Sequence, residues 1–321
     1  MARFLARRTL QGLIVIWLVT VIVFLIFYVG PGSADVARAL AGRTASPETV
    51  ALISHRLFLD RPVYEQYWHF LTQLLQGDLG YDYYHDESVA VIIKQAFPVT
   101  FSLLIGAAPL WLILGVGSGV YAATKPRSFL DRVFTGIALF FYSIPTFVLG
   151  LVLVLFLYYE LTIHGHAWFP PSGYVPFTRD PVQWAHNLIL PWITLALVTA
   201  GAYTRLARTS MLEVMNEDYL RTARAKGLKE RRIVYRHGLK AASTPLVTQF
   251  GIDVGALIGG AVITEQVFGL PGLGYTAVHA IEQQDLPVII GIVLVASAGV
   301  VVANILADLF YAVLDPRVRL S

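Results

Sequence analysis

Six apolar segments, at about residues 10–29, 99–123, 133–159, 188–207, 246–267 and 287–312, constrain the fold of this chain more than any motif in it. As an α-helix rising about 1.5 Å per residue, each is long enough to cross roughly 30 Å of hydrocarbon. Charged residues are only 14% of the 321 and hydrophobic ones 56%, with a mean hydropathy of +0.63. Soluble domains carry about a quarter charged residues. The expected class is therefore an all-α polytopic membrane protein with six transmembrane helices. Cysteine is absent, which removes disulfides, thiolate metal sites and a cysteine nucleophile from consideration.

Charge placement orients these spans. Arg3, Arg7 and Arg8 precede the first apolar run, which is too long for the core of a cleaved signal, despite the small residues of Ala37-Arg38-Ala39. Residues 1–29 are thus expected to be a retained signal-anchor helix. With the N-terminus inside, eighteen Lys/Arg fall on inner segments and six on outer ones. Lys/Arg in short loops set topology, so both termini are expected in the cytoplasm of a multi-pass cytoplasmic-membrane protein. The same bias accounts for the net charge of +3 without a nucleic-acid partner. Residues 30–98 then form an external segment. Within it Tyr64, Tyr67, Trp68, Leu71, Leu74 and Leu75 recur at helical spacing, predicting an amphipathic helix on the membrane interface or packed over the bundle, stopped by Gly77.

Residues 99–321 form the membrane core, interrupted by a polar loop over 208–245. Its run EDYLRTARAKGLKERRIVYRHGLK, from Glu217 to Lys240, is basic and lacks apolar continuity. Asn216 is placed to cap a helix whose first turn carries Glu217 and Asp218, acids that suit a helix N-terminus. Ala223 and Ala225 keep that helix slim, and Gly227 supplies the permissive backbone to end it. A second short helix is expected from about Lys229 toward Ala242. The arrangement suits a loop that touches another protein.

RTARAKG, Arg221 to Gly227, followed by a basic helix, resembles the EAA loop of permease subunits of binding-protein-dependent ABC importers. The chain as a whole resembles the first permease subunit of dipeptide and oligopeptide importers. Further matches are LARRTLQGL at Leu5, GPGSAD at Gly30, LDRPVYEQY at Leu59, GDLG at Gly77, FGLPGLG at Phe268 and LFYAVLDPRVR at Leu309. The resemblance implies the type I ABC importer permease fold. It implies coupling to an ATPase through Glu217, Tyr219, Arg221, Ala223, Arg224, Gly227 and Leu228. Ala223 and Gly227 take the motif's second alanine and glycine, and Leu239 its later leucine. Arg221 replaces the leading glutamate and Lys240 the later proline, so a salt bridge from that glutamate is not expected. Implied partners are a homologous second permease subunit, two ATPase subunits, an external substrate-binding protein and the lipid bilayer. Peptide is the implied substrate, with nickel, haem or glutathione carried by other members.

No GxxxxGK[ST] is present, so no cofactor is expected on this chain, and ATP and Mg belong to the ATPase subunits. The chain is expected to catalyse no reaction itself. GLPGLG lacks the Lys-Ser/Thr that would hold phosphate, and is read as a tight external turn between the fifth and sixth spans. Phe268, Pro271, Gly272 and Gly274 in that turn are the candidate external gate. Two other classes remain to be weighed. Asp253 and Asp308, both inside spans, could serve an intramembrane aspartic protease, although Gly251-Ile252-Asp253 is not the expected Gly-x-Gly-Asp. A stand-alone secondary transporter would want internal repeats, which the sequence lacks, and would leave the basic loop unexplained.

Overall fold

A computed structural model describes residues 2–30, 36–38, 46–56, 58–82, 85–170 and 173–314, and among these the regular structure is helical except for one short hairpin. Of the matching motifs, residues 31–35 and 315–319 lie outside the described residues, as does Ala39 of the small-residue triplet. Among the described residues, six helical stretches are long and apolar enough to cross a membrane: Ala6–Val29, Val89–Thr124, Thr146–Ile163, Pro181–Val214, Glu230–Ile258 and Leu286–Leu309. By packing, the chain divides into two units, each described by itself. The first is Met1–Thr100, Gly255–Val262 and Pro271–Ile305, and the second Phe101–Val254, Ile263–Leu270 and Leu306–Ser321.

The first unit opens with α1 (Ala2–Phe24), prolonged by a π turn over Leu25–Val29, then α2 (Pro47–Arg56) and α3 (Val63–Leu75). The α3 stripe anticipated as one face is in fact two. Tyr67, Phe70 and Leu74 pack on Val23, Phe24 and Tyr28 of the first helical stretch and on Ile290, while Thr20 and Tyr67 hydroxyls bond at 2.9 Å. Tyr64, Trp68 and Leu75 point away, with 72%, 67% and 80% of their surface exposed. Residues four and seven apart share a helix face, so a six-residue list at mixed spacing spans both sides. Gly77, at φ +81°, ends α3 as expected: its N–H bonds Leu74 O, and that of Asp78 bonds Gln73 O. The buried Gln66 amide ties LDRPV down by donating to the carbonyls of Leu59 and Arg61 at 3.2 and 2.8 Å.

A two-residue hairpin follows, β1 (Tyr81–Asp82) antiparallel to β2 (Glu87–Ser88) with Tyr81 opposite Ser88. It feeds α4 (Val89–Trp111), which begins at Val89 rather than near residue 99. Val89, Ile93 and Ala96 meet Leu273, Ala280, Val288 and Ile292 in the buried cluster of this unit. Those partners sit on α14 (Leu273–Gln283) and α15 (Leu286–Leu314), the latter packed so closely on α1 that a methyl on Gly12 would come within 2.7 Å of Val301.

In the second unit, α4 runs on through a π turn, Leu112–Val116, into α5 (Gly117–Thr124). There follow α6 (Phe129–Ser143), then α7 (Thr146–Leu153), which continues through a π turn, Val154–Glu160, into α8 (Leu161–Ile163). The apolar window 133–159 thus merges two helices. Pro145 breaks it, and the residue before it, Ile144, is extended at ψ 127°, as the steric bulk of a following proline demands. α9 (Pro181–Val214) starts at a full N-terminal signal. Asp180 accepts from the N–H groups of Val182 and Gln183, both at 3.0 Å, and Pro181 occupies the first helical position. Glycines let helices cross closely here. A methyl on Gly115 would come 2.5 Å from Tyr203 Cβ, one on Gly119 would sit 2.5 Å from the Thr204 carbonyl, and one on Gly106 would overlap the Trp192 indole.

Candidate coupling loop

α9 delivers the chain into the loop through its last buried residues. Met211, with Val120 and Ala123 of α5 and with Val234 and Ala242 downstream, forms a buried cluster, and Leu239 packs against it. After Met215 and Asn216 comes α10 (Asp218–Ala225), with Glu217 at its N-cap. Asn216 does not cap it: its amide donates back to the Leu212 carbonyl at 2.9 Å, because α9 runs far enough for a last-turn carbonyl to be within reach. α10 carries Leu220 fully buried on one side, while Glu217, Asp218, Tyr219, Arg221 and Arg224 are exposed and Ala223 is half-buried. A single anchor beneath a polar, slim helix leaves its outer face free for another molecule.

Gly227 ends α10 in the left-handed region, at φ +74°. Its N–H reaches Arg224 O at 2.9 Å and that of Leu228 reaches Ala223 O at 3.3 Å, the paired bonds of a Schellman motif. A bidentate Arg224 closes the turn from outside. Its Nη2 and Nε donate to the two Glu230 carboxylate oxygens at 2.9 and 3.2 Å, and Nη1 reaches back to Met215 O at 3.4 Å. Arg221 pairs only with Asp218, at 3.4 Å on the exposed face. Burial, and then the Glu217 charge, push the Tyr219 phenol up.

Beyond the turn, no separate second helix forms. α11 (Glu230–Arg232), a π turn over Ile233–Gly238 and α12 (Leu239–Ile258) make one continuous stretch, with Ile233, Val234 and Gly238 buried. The basic residues that suggested a free helix, such as Arg231, Arg232 and Arg236, line its exposed side. Asn216 and the second helix are therefore the two corrections to the loop. α10 and its glycine turn are thus fixed directly between two spans.

A buried ion pair braces the same end of α9. Arg208 grips Asp131 of α6 with Nε at 2.6 Å and Nη2 at 2.9 Å. Asp131 also accepts the Arg127 N–H at 2.8 Å, and Ser128 caps α6 by accepting the Asp131 N–H. The Arg208 bonds, foremost, hold the Asp131 carboxyl down at about 2. Sequence reading missed this pair. Its only local sign was the Ser128-x-x-Asp131 spacing, a cap signature, because the partner lies 77 residues away.

The fifth and sixth spans are not joined by a tight turn. The stretch expected to reach residue 267 stops at Ile258, where Gly260 adopts φ +111°. α13 (Val262–Val267) and α14 then intervene before α15. Of the gate residues, Phe268 is buried and lines a cavity of about 180 Å³ with Val154, Tyr158, Asn187 and Pro191. Pro271 is exposed, and Gly272 caps α14 with extended backbone. Gly274 is buried so tightly that a methyl would come 2.7 Å from Val262. Asp253 accepts from the Tyr203 hydroxyl at 2.8 Å and the Gln249 amide at 2.9 Å.

Six spans, with a polar helix and glycine turn held between the fourth and fifth, define a polytopic helical membrane protein. The comparisons make the class specific. Residues 115–320 match the family of binding-protein-dependent transport system inner membrane components, and residues 1–104 match the N-terminal region of such components. The chain belongs to this family, and has the type I ABC importer permease fold. Over 319 residues, 99% of each chain, it is 39% identical to a putative peptide transport system permease protein of Brucella abortus. It is 35% identical to a probable peptide ABC transporter permease of Sinorhizobium fredii, over 99% of this chain and all of that one. The glutathione transport system permease protein GsiC of Escherichia coli K12 is 36% identical over 99% of both. Membership in this family displaces the intramembrane-protease and stand-alone-transporter readings.

Proposed function

We propose that this chain is one of two homologous permease subunits of an ATP-driven importer that moves peptides into the cytoplasm, with both termini on the cytoplasmic side. An external binding protein delivers the peptide, and two ATPase subunits hold the ATP and Mg. The observation that carries the reading is the way α10 is mounted: a polar, outward-facing helix on a Schellman turn, continuous with a membrane span and anchored by Leu220. ATPase closure pushes on α10 and Gly227, and the fourth and fifth spans that flank them turn the push into alternating access. Peptide as cargo rests on relatives named for peptide transport. Phe268, Pro271, Gly272 and Gly274 serve in this reading as the external gate.

The test is reconstitution of the chain with its partner subunits in proteoliposomes, followed by uptake of a labelled dipeptide and of labelled glutathione. ATP-dependent dipeptide uptake that Ala223→Glu abolishes, with the complex still inserted, is the expected result. Uptake of glutathione alone would replace the cargo. Full uptake by Ala223→Glu would remove α10 as the coupling element.

A further inference from the structure

On the first unit, outside the spans and away from the coupling loop, three metal-ligating side chains converge from distant points of the sequence. Asp82 lies in β1, His85 follows it in the hairpin, and Asp285 immediately precedes α15. One donor atom from each falls within 4.8 Å of the others. His85 Nδ1 already lies 2.6 Å from Asp82 Oδ2. The two carboxyls are deeply buried, at 1% and 3% exposure, whereas His85 is open to solvent.

Two buried carboxyls held face to face are costly, since desolvation and like charge both oppose ionisation. They need a positive charge or a proton between them. Among the described residues no arginine or lysine pairs with Asp285. The Val288 N–H lies 3.4 Å from the Asp285 carboxylate, and Asp82 and His85 are its other polar neighbours in the cluster. A divalent cation would neutralise both acids at once, and the exposed imidazole gives it a way in.

We propose that Asp82, His85 and Asp285 form a zinc-binding site that pins the β1–β2 hairpin to the start of α15. The donor set selects the metal. One imidazole nitrogen with two carboxylate oxygens suits Zn²⁺, at bond lengths of about 2.0–2.2 Å, with a fourth position for water. Tetrahedral bonds of that length set ligand atoms roughly 3.3 Å apart, a spacing these donors reach with small side-chain rotations. Mg²⁺ and Ca²⁺ prefer six or more oxygens and have little use for imidazole. The site stands independently of the coupling reading, because none of its residues belongs to the loop. Bound there, the ion clips the hairpin that leads into α4 to the residue that precedes α15.

The test takes the full chain, purified in detergent at pH 7, stripped with a chelator and returned to buffered free Zn²⁺. We expect close to one zinc per chain at micromolar free metal and a raised melting temperature. H85A should weaken zinc binding by about a hundredfold or more, since losing a direct ligand costs at least as much as losing a group that only orients one, and D285N should abolish it. D285N should also melt no lower than wild type without metal, since it removes one of the two facing acids. Absence of zinc uptake by the wild type overturns the site. So does undiminished uptake by H85A or D285N, or equal stabilisation by Mg²⁺.

Discussion

The Asp131–Arg208 pair is the brace whose removal is most sharply defined. Arg208 delivers two charge-assisted bonds at 2.6 and 2.9 Å to a carboxylate that also takes a backbone N–H at 2.8 Å. Removing one member of a buried pair costs about 3–5 kcal/mol, because the other is left uncompensated. The Arg208 side chain is 28% exposed, so water screens part of that loss and about 2–4 kcal/mol is expected. The fall of Asp131 from its ordinary 3.8 to about 2 corresponds to about 2 kcal/mol, the same range. At roughly 2–4 °C per kcal/mol for a unit of this size, D131N and R208A should each lower the melting temperature by about 4–16 °C. R208K should recover little, since an ammonium cannot make the bidentate grip. The pH dependence follows from the sign of the shift. A carboxylate depressed on folding stabilises above its unfolded value near 3.8 and loses that contribution as pH falls through about 2. The gap between wild type and D131N should therefore be constant from pH 8 to pH 5 and narrow only below pH 4. Thermal unfolding in detergent, with a D131N/R208A double variant closing the cycle, measures the coupling. A coupling under about 0.5 kcal/mol, or a gap that changes between pH 8 and 5, would refute the reasoning.

Gly227→Ala should reduce transport while leaving membrane insertion intact, at a conformational cost of about 1–2 kcal/mol. A methyl there meets nothing within 4 Å, so Gly227→Asn, which tolerates left-handed backbone, should lose less; equal losses would mean that bulk rather than backbone matters. Because the chain has no native cysteine, S46C and K226C can be labelled singly, both at exposed positions. An impermeant thiol reagent on intact cells should reach position 46 and spare 226, and the opposite pattern would invert the topology. Phe268→Ala should enlarge the cavity beside Tyr158 and Asn187 and raise ATP hydrolysis uncoupled from uptake in the assembled transporter. Tight coupling in a normally assembled Phe268→Ala complex would leave Phe268 a packing residue only.

What the sequence could and could not reveal follows from the range of each interaction. Gly77 and Gly227 were legible as helix stops because a left-handed residue satisfies carbonyls only a few positions back, so its signal is local. The six spans were legible because lipid imposes length and apolarity on each separately. Their ends were not. Hydropathy alone reads through Pro145 and Gly260, although the backbone breaks at both, since a short non-helical joint between apolar helices keeps its apolar side chains. The second coupling helix starts at its Lys229 N-cap as expected, but its continuation into the fifth span was hidden for the opposite reason. Arg231, Arg232 and Arg236 made the segment look soluble, whereas Ile233, Val234 and Gly238 on the other side were enough to make it the first turns of a span. Hardest of all were the pairs closed by tertiary structure. Nothing near Asp131 announces Arg208, and nothing near Asp82 announces Asp285. A buried acid whose decisive partner lies far away in sequence is thus the residue type at which a one-dimensional reading loses most, and at which this chain concentrates both its brace and its proposed metal clip.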